Sequence, residues 1–114
     1  MTDCIFCKIA AGTIPANIVY QTDDVVAFRD LNPQAPTHIL VIPKKHIATT
    51  NDIAVADVAL IGNMHLAAKH VAKEEGIADS GYRTVMNCNR GAGQTVFHIH
   101  LHVLGGRAMG WPPG

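Results

Sequence analysis

The chain has 114 residues, 48% of them hydrophobic and 16% charged, and its nine basic side chains are balanced by nine acidic ones. That length and apolar content specify one domain with a core of its own, which excludes a disordered chain and a two-domain architecture. A neutral domain also lacks the field that gathers a polymer of phosphates, so general DNA or RNA binding is excluded, while a local site for one nucleotide needs no net charge.

In chain order, Cys4 to Ala11 predicts a short helix or turn closed by Gly12. Ile18-Val19-Tyr20 and Val25-Val26-Ala27-Phe28 have strand composition, and Thr22-Asp23-Asp24 supplies turn residues between them, which together predict a hairpin. Asp30 to Pro36 is a loop, because Pro33 and Pro36 cannot donate to a ladder. His38-Ile39-Leu40-Val41-Ile42 is a short apolar strand stopped by Pro43. From about Asp52 to Glu75, Ile53, Val58, Ile61, Leu66 and Val71 recur at helical spacing, with Asn51 or Asp52 to cap the start and Gly76 to end the helix. Tyr82 to Met86 predicts another strand, and Val96 to Leu104 the last, terminated by Gly105-Gly106. This order predicts an α+β fold with a mostly antiparallel sheet and one long helix. Residues 1–114 form a single domain without repeats or linkers, and residues 105–114 are an extended tail in which Trp111, beside two prolines, is expected to dock.

No apolar run approaches the ~20 residues of a membrane span. Met1-Thr2-Asp3-Cys4 has neither the basic nor the apolar part of an export signal, which predicts a cytoplasmic, reducing setting. Cys4, Cys7 and Cys88 are then thiols or metal ligands rather than a disulfide framework. Cys4-x-x-Cys7 alone fits a redox pair, a zinc knuckle or two buried thiols.

Seven histidines are the unusual feature of the composition. In His98-Ile99-His100-Leu101-His102-Val103-Leu104 the imidazoles alternate with apolar side chains, so on a strand they share one face while Ile99, Leu101 and Val103 meet the core. Such a row suits structural hydrogen bonding, a zinc site or a nucleophile with proton-handling neighbours. The preceding Asn87-Cys88-Asn89-Arg90-Gly91-Ala92-Gly93-Gln94-Thr95 favours the last. Its glycines let backbone N–H groups approach phosphate oxygens, and Gln94 and Thr95 add neutral donors. His65 and His70, on the long helix, are expected to be solvated or capping.

His-Ile-His-Leu-His-Val-Leu at 98–104, entered through Gly-Gln-Thr-Val-Phe, resembles the signature of the histidine triad (HIT) family. Ala35-Pro36-Thr37-His38 through Pro43-Lys44-Lys45-His46 and the ending Gly105-Gly106-Arg107-Ala108-Met109-Gly110-Trp111-Pro112-Pro113-Gly114 are similar to its nucleotide-binding, purine nucleoside phosphoramidase branch. The resemblance implies a HIT-like fold and cleavage of the P–N bond of purine nucleoside 5′-phosphoramidates, and of acyl-adenylates, through a covalent nucleotidyl-histidine at His100. His102, His38 and Thr95 would assist with charge and protons. Asp30, Leu31, Ile18, Phe28, Asn87, Gly93 and Gln94, with Thr95, His100 and His102, would bind the nucleotide. It further implies no catalytic cofactor, a structural zinc on Cys4, Cys7, His46 and His98 or else unmetallated thiols there, and a homodimer with a sheet continuous between subunits. Dinucleoside polyphosphate hydrolysis, or nucleotide-dependent regulation with incidental turnover, are the alternative functions.

Overall fold

The computed structural model describes residues 3–114, so the first two residues of the expected 1–114 domain lie outside the described residues. Helix α1, Ile5–Ala11, is capped by Cys4, whose Sγ accepts the Cys7 N–H, and closed by Gly12 at φ 75°. Strands β1 (Ile18–Gln21), β2 (Val25–Arg29), β3 (Thr37–Pro43), β4 (Tyr82–Val85) and β5 (Leu101–Gly105), with helix α2 (Val58–Glu74) between β3 and β4, complete the regular structure. The sheet is antiparallel throughout, in the order β1-β2-β3-β5-β4. This is the α+β architecture that the sequence predicts.

Period-two alternation divides the sheet's side chains between two layers. Val25, Ala27, Ile39, Val41, Leu101 and Val103 pack against Met64, Ala67, Ala68, Val71 and Ala72 of α2. On the opposite face Val26, Phe28, Leu40 and Ile42 pack against Phe6 and Ile9 of α1. The central strand β3 is buried along its whole length, which is why it reads as an unbroken apolar run. Its partner registers His38↔Leu104 and Leu40↔His102 put both histidines on the α1 face. Because α1 has only 7 residues, it covers part of that face; His38 and His100 are buried there and His102 is half-buried.

Two boundaries differ from the sequence expectation. The long helix begins at Val58, not near Asp52. Asp52 and Asp57 each bend their carboxylate back to a backbone N–H, at Thr49 and Ala54, so the approach breaks into two short 3₁₀ turns. The capping residue of the first turn is Thr49, in a reciprocal pair with Asp52. Leu66 and Val58 of the expected apolar stripe are 62% and 66% exposed. The buried stripe instead uses small side chains, Ala67, Ala68 and Ala72, that let α2 lie close to the sheet. The last strand begins at Leu101 rather than Val96. The ladder ends with Val41↔Leu101, two residues before Pro43, which has no N–H to continue it.

Candidate active site

Where the ladder stops, the chain bends at residues 96–98 and the stretch carrying His98 and His100 bonds elsewhere: the Ile99 N–H donates to the Ile47 carbonyl at 2.7 Å. The Pro43 carbonyl accepts from His98 Nε2 at 2.7 Å. The His98 carbonyl accepts from His100 Nδ1 at 2.8 Å. A carbonyl oxygen only accepts, so the ring nitrogen at each contact carries the proton. Neutral His98 is therefore the Nε2–H tautomer and neutral His100 the Nδ1–H tautomer, with Nε2 of His100 bearing a free lone pair. Phe6 packs edge-on against the His100 ring, with centroids 5.1 Å apart, and fixes its plane. Burial is the main cause that pushes the His100 pKa below the usual imidazole value, opposed by its bond to the His98 carbonyl and by the charge of Asp30. The ring is thus unprotonated at neutral pH.

Beside it, His38 Nε2 lies 2.9 Å from His102 Nδ1 and 3.4 Å from Asp30 Oδ2. The Gln34 N–H donates to His38 Nδ1 at 3.0 Å. The His38 proton therefore sits on Nε2 and is given to His102, whose own proton is left on Nε2. Burial first, then repulsion from His100 and His38, lowers the His102 pKa to about 4. His38 is also lowered, by burial, against the pull of Asp30. The result is a neutral imidazole donor, His102, whose ring centroid lies 5.0 Å from that of His100.

The remaining expected nucleotide contacts are placed as follows. Asp30 lies at the end of β2 with one carboxylate oxygen near His38 and the other accepting the Asn32 N–H at 2.8 Å. Leu31 is 99% exposed next to it. Phe28 is buried against Phe6, whereas Ile18 lies on the edge strand β1, half-exposed and outside that apolar cluster. Asn87 is half-buried after β4. Gly93 has φ 95°, which requires glycine, and Thr95 is exposed beside it. Gln94 is buried, and its amide is spent on backbone, accepting from Asn89 N–H and donating to the Ala48 and Val96 carbonyls. It ties the glycine loop to the segment that follows β3. Phe6 and Gln34, both in contact with the histidines, carry no motif-level signal; only the helical register of Cys4-Ile5-Phe6-Cys7 places Phe6 on the inner side of α1.

The other sequence-predicted cluster also assembles. The ligand atoms of Cys4, Cys7, His46 and His98 all lie within 4.8 Å of one another. Their separations are 3.4 Å for Cys4 Sγ to His98 Nδ1, 3.3 Å for Cys7 Sγ to His46 Nδ1, and 3.2 Å between the two Nδ1 atoms. A tetrahedron with Zn–N of about 2.0–2.1 Å and Zn–S of about 2.3 Å has edges of this size. The Nε2–H of His98, held by Pro43, directs its Nδ1 lone pair into the cluster as a metal ligand requires. The donor set therefore fits a structural zinc. Elsewhere, His65 and His70 are exposed on α2, and His70 stacks on Tyr20 with centroids 4.1 Å apart. Cys88 is a half-buried free thiol, and among the described residues no helix is long and apolar enough to cross a membrane.

The model of the HIT domain matches residues 11–109. The purine nucleoside phosphoramidase of Escherichia coli K12 is 53% identical over 108 residues, covering 95% of this chain and 91% of that one. The crystal structure of a HIT family hydrolase from Legionella pneumophila superposes with a TM-score of 0.96 at 57% identity, covering 98% of this chain and 100% of that one. A histidine triad protein from Clostridium difficile superposes at 0.93 with 45% identity, over 96% of each chain. With nearly the whole chain matched in sequence and in fold, this protein is a member of the HIT domain family.

Proposed function

We propose that this HIT-family hydrolase cleaves the P–N bond of purine nucleoside 5′-phosphoramidates, and the corresponding bond of acyl-adenylates, through a covalent nucleotidyl-histidine at His100. The reading rests above all on the 2.8 Å bond from His100 Nδ1 to the His98 carbonyl, which leaves Nε2 as the one basic nitrogen of a buried, neutral ring. The phosphoramidase named among its relatives supports the substrate class. In the first step His100 Nε2 bonds to the α-phosphorus and the P–N bond breaks, its electron pair leaving with the amine, which takes up a proton. His102, a neutral Nε2–H donor, stabilises the charge that develops on the phosphoryl oxygens, and the Thr95 hydroxyl assists the departing amine. In the second step water adds to phosphorus and gives up a proton to solvent, the Nε2–P bond breaks with its electron pair returning to Nε2, and the nucleoside 5′-monophosphate leaves. Asp30 receives the ribose hydroxyls, Phe28 and Phe6 wall the base side, and the turn at Gly93 brings backbone N–H groups to the phosphate.

No catalytic cofactor takes part. Cys4, Cys7, His46 and His98 would hold a structural zinc, which would supply no chemistry to the substrate and would pin α1, and with it Phe6, to the sheet. The enzyme acts as a homodimer, a reading supported by the unpaired outer edge of β4 and by exposed Val58, Leu66, Tyr82 and Trp111. The test is hydrolysis of adenosine 5′-phosphoramidate against diadenosine polyphosphates under identical conditions. A higher kcat/KM for the phosphoramidate is expected; preference for the polyphosphate overturns the substrate assignment.

A further inference from the structure

Tautomers in the His38–His102 pair are set from outside it. The Gln34 N–H can only donate, so its 3.0 Å contact leaves His38 Nδ1 as a lone pair and sends the His38 proton through Nε2 to His102. The opposite tautomers would bring proton against proton at Gln34, or lone pair against lone pair between the rings. The orientation of one peptide N–H therefore decides which nitrogen of His102 faces the site with a proton.

The loop's ends are tied by the Asp30 N–H to the His38 carbonyl at 3.0 Å, Pro33 and Pro36 contribute no donor, and the internal bonds are Asn32 N–H to Asp30 Oδ1 and Gln34 Nε2 to the Asn32 carbonyl. None of these bonds is made by the Gln34–Ala35 peptide; the bond to its carbonyl comes from the tail. Arg107 directs Nε and Nη2 onto the Gln34 carbonyl at 3.1 and 3.0 Å, and returns Nη1 to the Ala108 carbonyl at 3.0 Å. The guanidinium thus bridges loop and tail as a planar, charge-assisted fork. Gly106, just before it, has φ 90°, and a Cβ there would stand 2.9 Å from Pro36 Cβ, so the tail is seated against the loop with no spare room.

We propose that Arg107 is a positioning residue for catalysis: by gripping the Gln34 carbonyl it fixes the Gln34–Ala35 peptide and with it the seat of the Gln34 backbone, which keeps the N–H of the preceding peptide on His38 and so holds His102 as the Nε2–H tautomer. This rests on the proposed use of His102 as a proton donor to the phosphoryl group. Arg107 touches neither imidazole; it acts through Gln34.

The test combines long-range ¹H–¹⁵N NMR of the histidine rings with steady-state kinetics on adenosine 5′-phosphoramidate, for the wild type, Arg107→Ala and Arg107→Lys. In the wild type, His100 gives the Nδ1–H pattern while His38 and His102 give Nε2–H. In Arg107→Ala, His38 and His102 become tautomer mixtures, His100 keeps its pattern, and kcat falls about tenfold with KM changed by less than about threefold. Arg107→Lys, which keeps the charge and one donor, recovers part of both effects. Unchanged tautomers in Arg107→Ala overturn the proposal, as do mixed tautomers with an unchanged kcat. If the wild type hydrolyses no phosphoramidate, the substrate assignment fails by itself and the spectra decide alone: mixing sustains the role of Arg107, and its absence ends it.

Discussion

At His100 the carbonyl of His98 accepts a hydrogen bond from Nδ1 at 2.8 Å and leaves Nε2 with its lone pair, so the proposed covalent route depends on one side chain. Substituting His100→Ala lowers kcat by roughly 10³-fold or more. The fold survives, because the ring's one hydrogen bond is to the carbonyl of His98 two residues away and His100 lies outside the β3–β5 ladder, which ends at Leu101. The acid limb of kcat/KM also carries information. Protonating Nε2 removes the nucleophile, and burial holds the His100 pKa below the ordinary imidazole value of about 6.5, so activity persists through that pH and falls only in more acidic solution. Stability follows the same sign. His38, His100 and His102 all have lowered pKa values in the folded state, His102 at about 4, so between there and about 6.5 the unfolded chain binds more protons than the folded one. The Tm therefore drops as pH is lowered through this window, and is flat above it as far as these histidines are concerned. A thermal melt series in matched ionic strength reads this directly; a Tm that rises on acidification contradicts the neutral, buried assignment.

At the scale of elements, α1 and the tail are short segments that position the histidines without belonging to the sheet. Removing a donor that ties α1 to the sheet, as Cys7→Ser does, or treating the protein with a strong chelator, lowers the Tm and releases close to one zinc per chain, measured by a metal-sensitive dye. Retention of the full Tm with no metal released contradicts the structural zinc. Gly106→Ala forces a left-handed backbone position and a Cβ 2.9 Å from Pro36, at a cost of about 1–3 kcal/mol by denaturant titration, and displaces the tail that carries Arg107. The hairpin, β3 and the existence of α2 were legible because their signals are local: turn residues at Thr22-Asp23-Asp24, an unbroken apolar run ending at Pro43, a glycine at 76. The start of α2 was not, because Asp52 and Asp57 read equally well as helix caps and as side chains that fold back on their own backbone. The shortness of β5 depends on Pro43, 58 positions before Leu101, and no pattern within 96–104 reports it. The three histidines in alternation were legible as one face, yet their division of labour was not. His98 is turned into the cysteine cluster by a bond to the Pro43 carbonyl, and His102 is set by Gln34 through His38. Those are contacts between distant segments, visible only once the chain is folded.

For the molecule as a whole, the sheet ends in two edges, β1 and β4, and β4 has only four residues with Tyr82 and Thr84 exposed. An edge of this kind with apolar side chains near it is normally covered. We predict that sedimentation equilibrium at micromolar concentration gives twice the chain mass of 12.2 kDa; a single species at 12.2 kDa removes the dimer. The tail bears on the same surface: Arg83 holds the Gly110 carbonyl at 2.8 Å, and Trp111 beyond it is 83% exposed. The molecule therefore presents its histidine face and its tail together, with α2 and the larger core on the far side of the sheet.

The covalent role of His100 is tested most directly by measuring hydrolysis of adenosine 5′-phosphoramidate by the wild type and by His100→Ala, each with and without chelator at a temperature where both stay folded. Turnover by the wild type that survives chelation and is lost by roughly 10³-fold or more in His100→Ala is the predicted result. Turnover that persists in His100→Ala contradicts the nucleotidyl-histidine mechanism.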